Sequence, residues 1–215
     1  QPFVFILIKF TRCCVMSQMK LKRLPVALSM RLVSDKVLKL KDLWESRSND
    51  IPFFTIGKAA YLDGNTYTDR AKELNKILIK QFKPLYTEIQ SVFESEFKEP
   101  VGFNPSLALP GFHIFPSDPK LLSVAGNWHI DTPHLTLNLG HEDTWAFTLP
   151  IQLPSGGGGM ESRESYHAYE VGQMILHKGN DLHRIANFKD YKPNEYRITL
   201  QGHIVRVEGK LVMFW

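Results

Sequence analysis

The chain holds two cysteines, Cys13 and Cys14, and they are adjacent. They build no disulfide framework. Neither lies near the histidines and acids that stand out later, which argues against a zinc–thiolate centre. Long apolar runs are also missing. Phe3-Val4-Phe5-Ile6-Leu7-Ile8 is far too short to cross a bilayer, and no full transmembrane segment occurs elsewhere. Acids are absent before Asp35. There is no internal repeat, and the only low-complexity tract is Gly156 to Gly159. No Gly-Lys-Ser/Thr follows that tract, so it is not a phosphate loop; a mobile hairpin, serving as a lid, is the expectation.

The 215 residues fit one domain with a proper core. Residues 1–41 carry nine Lys/Arg and one acid, a net of +8, so the remainder carries +4 − 8 = −4. The basic excess belongs to the N-terminal segment, and charge does not support a nucleic-acid surface on the body. That segment reads as a targeting leader, as sequence upstream of a start at Met16, Met19 or Met30, or as an ordered extension. The expected organisation is a leader or unstructured segment over 1–24 and a single domain over 25–215, with a helical front at 25–100 and a β core at 105–215. The expected compartment is the cytoplasm, or an organelle if the leader is a transit peptide. No obligate protein partner is evident.

Pro25 to about Ser46 reads as a helix, with Leu28, Leu32, Val37, Leu40 and Leu43 at helical spacing. Thr68 is a candidate cap for a second helix. Its stripe runs Leu74, Ile77, Leu78, Phe82, Leu85, Ile89, Val92, Phe93 and Phe97, and Pro84 inside it predicts a kink. From residue 105 the period changes. Leu107–Leu109, Phe112–Phe115, Leu135–Leu139, Ala146–Leu149, Met174–Leu176, Ile198–Leu200, Val205–Val207 and Leu211–Phe214 read as short strands between turn residues. The fold class is mainly β with flanking helices: an antiparallel sandwich or jelly roll.

Four residues carry the chemistry: His129, Asp131, His183 and Arg197. On a strand, His129 and Asp131 point to one face and can reach one metal. Two imidazoles and a carboxylate on one face of an ion leave the other face open, which suits non-haem Fe(II). His141-Glu142-Asp143 fits the same His-x-Asp pattern but falls at an expected hairpin turn. His177 rivals His183 and reads otherwise as a strand-end polar or supporting group. Arg197 and Thr199 share a strand face, where a guanidinium and a hydroxyl can hold one carboxylate. Arg184 and Arg206 are poorer candidates. His113, His134 and Trp145 are candidate pocket residues, with packing the competing role for Trp145.

From about Ser106 to Val207 the chain resembles the double-stranded β-helix core of the Fe(II)/2-oxoglutarate-dependent dioxygenases, a cupin-like jelly roll. The resemblance rests on Trp128-His129-Ile130-Asp131, Gly156–Gly159 before Met160-Glu161, Val171-Gly172 leading into Met174-Ile175-Leu176, His183, and Arg197-Ile198-Thr199. It implies Fe(II) on His129, Asp131 and His183, and 2-oxoglutarate as cosubstrate with its distal carboxylate on Arg197 and Thr199. It also implies O₂ at the remaining position and hydroxylation of a small-molecule or amino-acid-like substrate with release of succinate and CO₂. Asp131 departs from the halogenase pattern, and Arg197 in place of Lys departs from the prolyl 4-hydroxylase branch. The alternative is a cupin-like metal protein or isomerase without oxygenase activity.

Overall fold

The computed structural model describes residues 19–140 and 143–215. Cys13, Cys14, the apolar run at 3–8, Met16, and His141 and Glu142 of the competing pair lie outside them. In chain order the elements are β1 (Lys22–Pro25), α1 (Met30–Lys39), β2 (Glu45–Ser46), β3 (Phe54–Ile56), α2 (Ala60–Asp63), α3 (Tyr67–Phe97), β4 (Val101–Phe103), β5 (Gly111–Pro116), α4 (Pro133–Thr136), β6 (Trp145–Gln152), β7 (Gly159–Ser162), β8 (Tyr166–Ala168), β9 (Gln173–Lys178), β10 (His183–Ile185), β11 (Tyr196–Val207) and β12 (Lys210–Phe214).

The larger sheet runs β1-β9-β6-β11-β5-β3-β2, with β12 added to β11 and β4 beyond it. The smaller sheet is β10-β7-β8. Alternation along β11 assigns the two faces of the large sheet. Ile198, Leu200 and Ile204 join Phe147 and Leu149 of β6, Phe112 and Ile114 of β5, and Met174 and Leu176 of β9 in one core. Val33 and Val37 of α1 and Leu78, Phe82, Leu85, Ile89 and Phe93 of α3 cover that face. Arg197, Thr199 and His203 alternate onto the opposite face, towards the smaller sheet. The mainly antiparallel jelly-roll-like architecture agrees with the fold class read from the strand pattern.

Several elements differ from expectation. The segment expected to be a leader already contains structure: Lys22–Pro25 pairs antiparallel with Gln173–Leu176, and Met19 and Leu21 pack beside Met160, Tyr169 and Ile175. The first helix is shorter than expected, because the residues around Pro25 serve as this sheet-edge strand. Leu107–Leu109 forms no strand, although Leu109 is buried. At 135–139 the alternating apolar pattern is overridden by Pro133, which starts the short helix α4. In α3 the expected kink is present: Phe82 has φ −125° and ψ 21°, just ahead of Pro84. No helix among the described residues is long and apolar enough to cross a membrane.

A buried ionic cluster ties β2 and β3 to α2. Asp63 accepts from Lys58 Nζ at 2.7 Å, Arg47 Nη1 at 2.9 Å and the Ala59 amide at 2.8 Å. Burial alone would raise the Asp63 carboxyl; the hydrogen bonds from Arg47 and Lys58 outweigh it and hold the group below its ordinary 3.8. A depressed carboxyl stabilises the fold above its ordinary pKa, and that contribution is lost as pH falls through the folded value. Asp63→Ala leaves Lys58 and Arg47 with Glu45 as their remaining carboxylate, at 2.8 and 3.3 Å, and is expected to cost roughly 1–3 kcal/mol near neutral pH, read as a lower urea midpoint. The gap to the parent should narrow in strong acid, and equal midpoints at pH 7 would contradict this role.

Candidate metal and anion site

The site begins with a backbone pair. His129 N donates to the His183 carbonyl at 2.9 Å, and His183 N donates back to the His129 carbonyl at 3.0 Å. Directly opposed residues in an antiparallel bridge project to the same side, so the two rings meet with centroids 4.4 Å apart. Gly126 N on the Ile185 carbonyl and Asp131 N on the Gly179 carbonyl extend this irregular ladder. His129 and Asp131 therefore lie on an extended segment with one isolated bridge, rather than on the regular strand expected. The i, i+2 geometry survives, because pairing with the His183 strand keeps the segment extended. On its other side, β10 is held by β7.

Both imidazoles are oriented from behind. His129 Nδ1 lies 2.7 Å from the Asn127 carbonyl, and His183 Nδ1 lies 2.8 Å from the Asp181 carbonyl. A carbonyl only accepts, so each proton sits on Nδ1 and each Nε2 presents a lone pair. The Nε2 atoms stand 3.8 Å and 3.5 Å from the two Asp131 carboxylate oxygens. One donor atom from each of the three residues falls within 4.8 Å of the others, and among the described residues this is the one such group. Burial alone would raise the Asp131 carboxyl, but in the acid range where a carboxyl titrates the positive charge on the protonated His203, His183, His177 and His129 rings outweighs it and keeps the group low. Burial lowers His183 against the opposing pull of Asp131. A neutral N, N, O⁻ donor set suits a divalent transition metal.

The smaller sheet leads from the triad to Arg197. Ala186 follows three residues after His183, about 10 Å along extended chain, and its carbonyl accepts from Arg197 Nη1 at 3.4 Å. Arg197 is 2 % exposed, and its guanidinium carbon sits 4.4 Å from the Phe115 ring and 4.7 Å from the Phe188 ring. Its Nε is buried without a hydrogen-bond partner, and no carboxylate among the described residues pairs with it. Burial lowers its pKa to about 10, so it remains charged at neutral pH. The rival arginines are already engaged: Arg184 with Glu161 at 2.6 Å, and Arg206 with Glu99 at 2.7 Å and Asp143 at 3.2 Å.

Thr199 is buried two residues from Arg197 on the same face. His113 is buried on that face too, and its Nε2 meets the Tyr61 hydroxyl at 2.7 Å. Burial, reinforced by Arg197, pushes His113 down to about 3. His134 lines a cavity of about 360 Å³ beside Asp131, together with Thr132, Asp143, Thr144, Lys178 and Asn180. Trp145 does not join them. It packs on Phe97 at 4.8 Å on the helix-covered face, so its expected pocket role is replaced by packing. Asp143 of the competing pair is held by Lys178 at 3.6 Å and by Arg206. The glycine run is a turn that enters β7 and packs near Arg197, with the Gly158 carbonyl accepting from the Tyr169 amide at 2.8 Å.

His203 escaped the sequence reading. It is buried on β11, six residues beyond Arg197 and on the same face, and of the imidazoles that hold the Asp131 carboxyl low it acts most strongly. The alternation from Arg197 through Thr199 to His203 was the available signal.

No family model and no curated protein matches the chain. Similar solved structures include AviO1 from Streptomyces viridochromogenes Tue57, 11% identical over 85% of this chain and 88% of that one, with a TM-score of 0.49. The non-heme alpha ketoglutarate dependent carbocyclase SnoK from nogalamycin biosynthesis is 12% identical over 86% and 78%, TM-score 0.46. An N-substituted L-amino acid dioxygenase from Burkholderia ambifaria AMMD, in complex with alpha-KG, is 16% identical over 74% and 73%, TM-score 0.42. Identity at this level carries no residue role from those proteins to this one.

An unpaired buried cation costs the fold stability, which cation–π contacts offset only in part. Arg197→Met keeps the volume and removes the charge. It is expected to stabilise the ligand-free protein by about 1–4 kcal/mol, read as a higher urea midpoint; a lower midpoint would mean that the fold itself satisfies Arg197.

Proposed function

We propose that this chain is an Fe(II)- and 2-oxoglutarate-dependent oxygenase that hydroxylates a C–H bond of a small-molecule or amino-acid-like substrate. The observation that carries the reading is the buried, unpaired Arg197, one short strand away from three converging metal donors. A guanidinium without an anion in a closed, aromatic-walled slot calls for a carboxylate from outside the chain. His183 and Ala186, whose carbonyl meets the guanidinium, are three residues or about 10 Å apart on extended chain, a span that suits a short dicarboxylate.

In this reading His129, Asp131 and His183 hold the iron, and Arg197 with Thr199 holds the distal carboxylate of 2-oxoglutarate. Fe(II) with 2-oxoglutarate and O₂ supplies oxidative decarboxylation to succinate and CO₂, coupled to oxidation of a substrate C–H bond. The protein's part is positioning. The Asn127 and Asp181 carbonyls keep both Nε2 lone pairs aimed at the ion, so little reorganisation accompanies binding. Phe115 and Phe188 exclude water from the guanidinium, which strengthens its hold on a carboxylate. The open side of the triad adjoins the polar cavity, where the substrate enters.

Anaerobic titration with Fe(II) and 2-oxoglutarate tests this. The wild type is expected to develop the weak visible metal-to-ligand charge-transfer band. Asp131→Ala should lose it with the metal. Arg197→Ala should need at least about 100-fold more cosubstrate, about 3 kcal/mol of binding. Metal uptake without any band would move the protein to the cupin-like, non-oxygenase class.

A further inference from the structure

Two imidazoles beside the triad have no part in its donor set. His177 on β9 and His203 on β11 are 4 % and 8 % exposed. Each lies opposite the same residue of β6, Ala146. One row across three strands therefore reads His203, Ala146, His177, all on the face that carries Arg197. Two strand spacings place the histidine backbones about 10 Å apart, and only a methyl group stands between them. The His177 ring is 4.6 Å from that of His183, nearly edge-on, so this row borders the metal site.

The nitrogens are uncommitted where it matters. His177 Nδ1 lies 2.9 Å from the Lys178 carbonyl, which fixes the proton there and leaves Nε2 as an acceptor. Among the described residues no group hydrogen-bonds that Nε2, and none hydrogen-bonds His203. These nitrogens are not sealed in the interior: the sealed side-chain atoms without a partner among the described residues are Ser117 Oγ, Arg197 Nε and Trp215 Nε1. Two open imidazoles on one row therefore face space that a group from outside can enter. Thr144, two residues before Ala146 and on its face, lines the polar cavity beside Asp131, so the row lies next to that cavity rather than in its lining.

We propose that the His177–Ala146–His203 row is the shelf that binds the substrate, by accepting a hydrogen bond from its hydroxyl or amino group. The inference rests on the oxygenase reading for the word substrate, and it assigns that substrate's class: a compact polar molecule bearing hydrogen-bond donors, rather than a hydrocarbon or a bare aromatic. An apolar occupant would leave His177 Nε2, His203 and the threonine- and asparagine-lined cavity without partners. The small Ala146 side chain is all that the register places between the two histidines, and the His177 ring, 4.6 Å from that of His183, carries the row to the edge of the triad.

The test uses the full, metal-free chain labelled with ¹⁵N at histidine. The probes are 1,2-propanediol and ethanolamine, with 1,2-dimethoxypropane and O-methylcholine as the counterparts that keep the frame and carry no hydrogen-bond donor. At least one donor-bearing probe is expected to shift the His177 Nε2 resonance, at a concentration at least tenfold below its methylated counterpart. His177→Phe keeps a ring and loses the acceptor; it should abolish the preference for the same probe, followed at His203, while His177→Gln restores part of it. Unchanged Co(II) affinity in both variants shows that the triad and fold are intact. The shelf is refuted if no probe perturbs His177, if methylated probes do equally well, or if His177→Phe keeps the preference. The metal-free format separates this outcome from failure of the oxygenase reading, which is registered by a missing charge-transfer band.

Discussion

The reciprocal backbone hydrogen bonds between His129 and His183 are the constraint on which the site depends. They bring together two residues 54 positions apart in the chain and turn both side chains to one side. Asp131 then falls into place through its own amide bond to the Gly179 carbonyl. Because main-chain contacts fix the alignment, the three candidate donors need little support from one another. A substitution that lets the 126–131 segment slip by one residue would turn both His129 and Asp131 away.

Arg197 is the complementary element, and it works against stability. A desolvated charge sits between Phe115 and Phe188 with no counter-ion among the described residues. Such a group persists when a ligand completes it, in line with the general trade between stability and function. The ionic cluster around Asp63 shows the opposite arrangement. There Lys58 and Arg47 find their partner within the chain, and the cluster braces the α2 segment whose Tyr61 hydroxyl reaches His113.

Much of this was legible in the sequence. The His-x-Asp spacing, His183 chosen over His177 for its alternating run, and the arginine on a buried strand marked the residues that the fold brings near one another, because period-two alternation and residue chemistry are local properties. The α3 stripe and the effect of Pro84 were readable for the same reason. What escaped depended on contacts distant in sequence. Lys22–Pro25 is basic and looks like leader, yet it is a strand because β9 offers an edge. The alternation at 135–139 gave way to a proline-started turn of helix. Trp145 lies on the helix side of β6, and no local feature tells which face of a strand looks towards the helices. His203 was hidden because its partners come from other segments.

The central claim is that one site takes a metal on the triad and a dicarboxylate on Arg197, with the two in contact. Calorimetric titration of 2-oxoglutarate into the anaerobic protein, with and without Mn(II), measures that contact directly as a coupling free energy. The account predicts at least about tenfold tighter 2-oxoglutarate binding with metal present, and by reciprocity tighter metal binding with 2-oxoglutarate. Equal affinities with and without metal would mean that the two sites do not share a ligand and would contradict it.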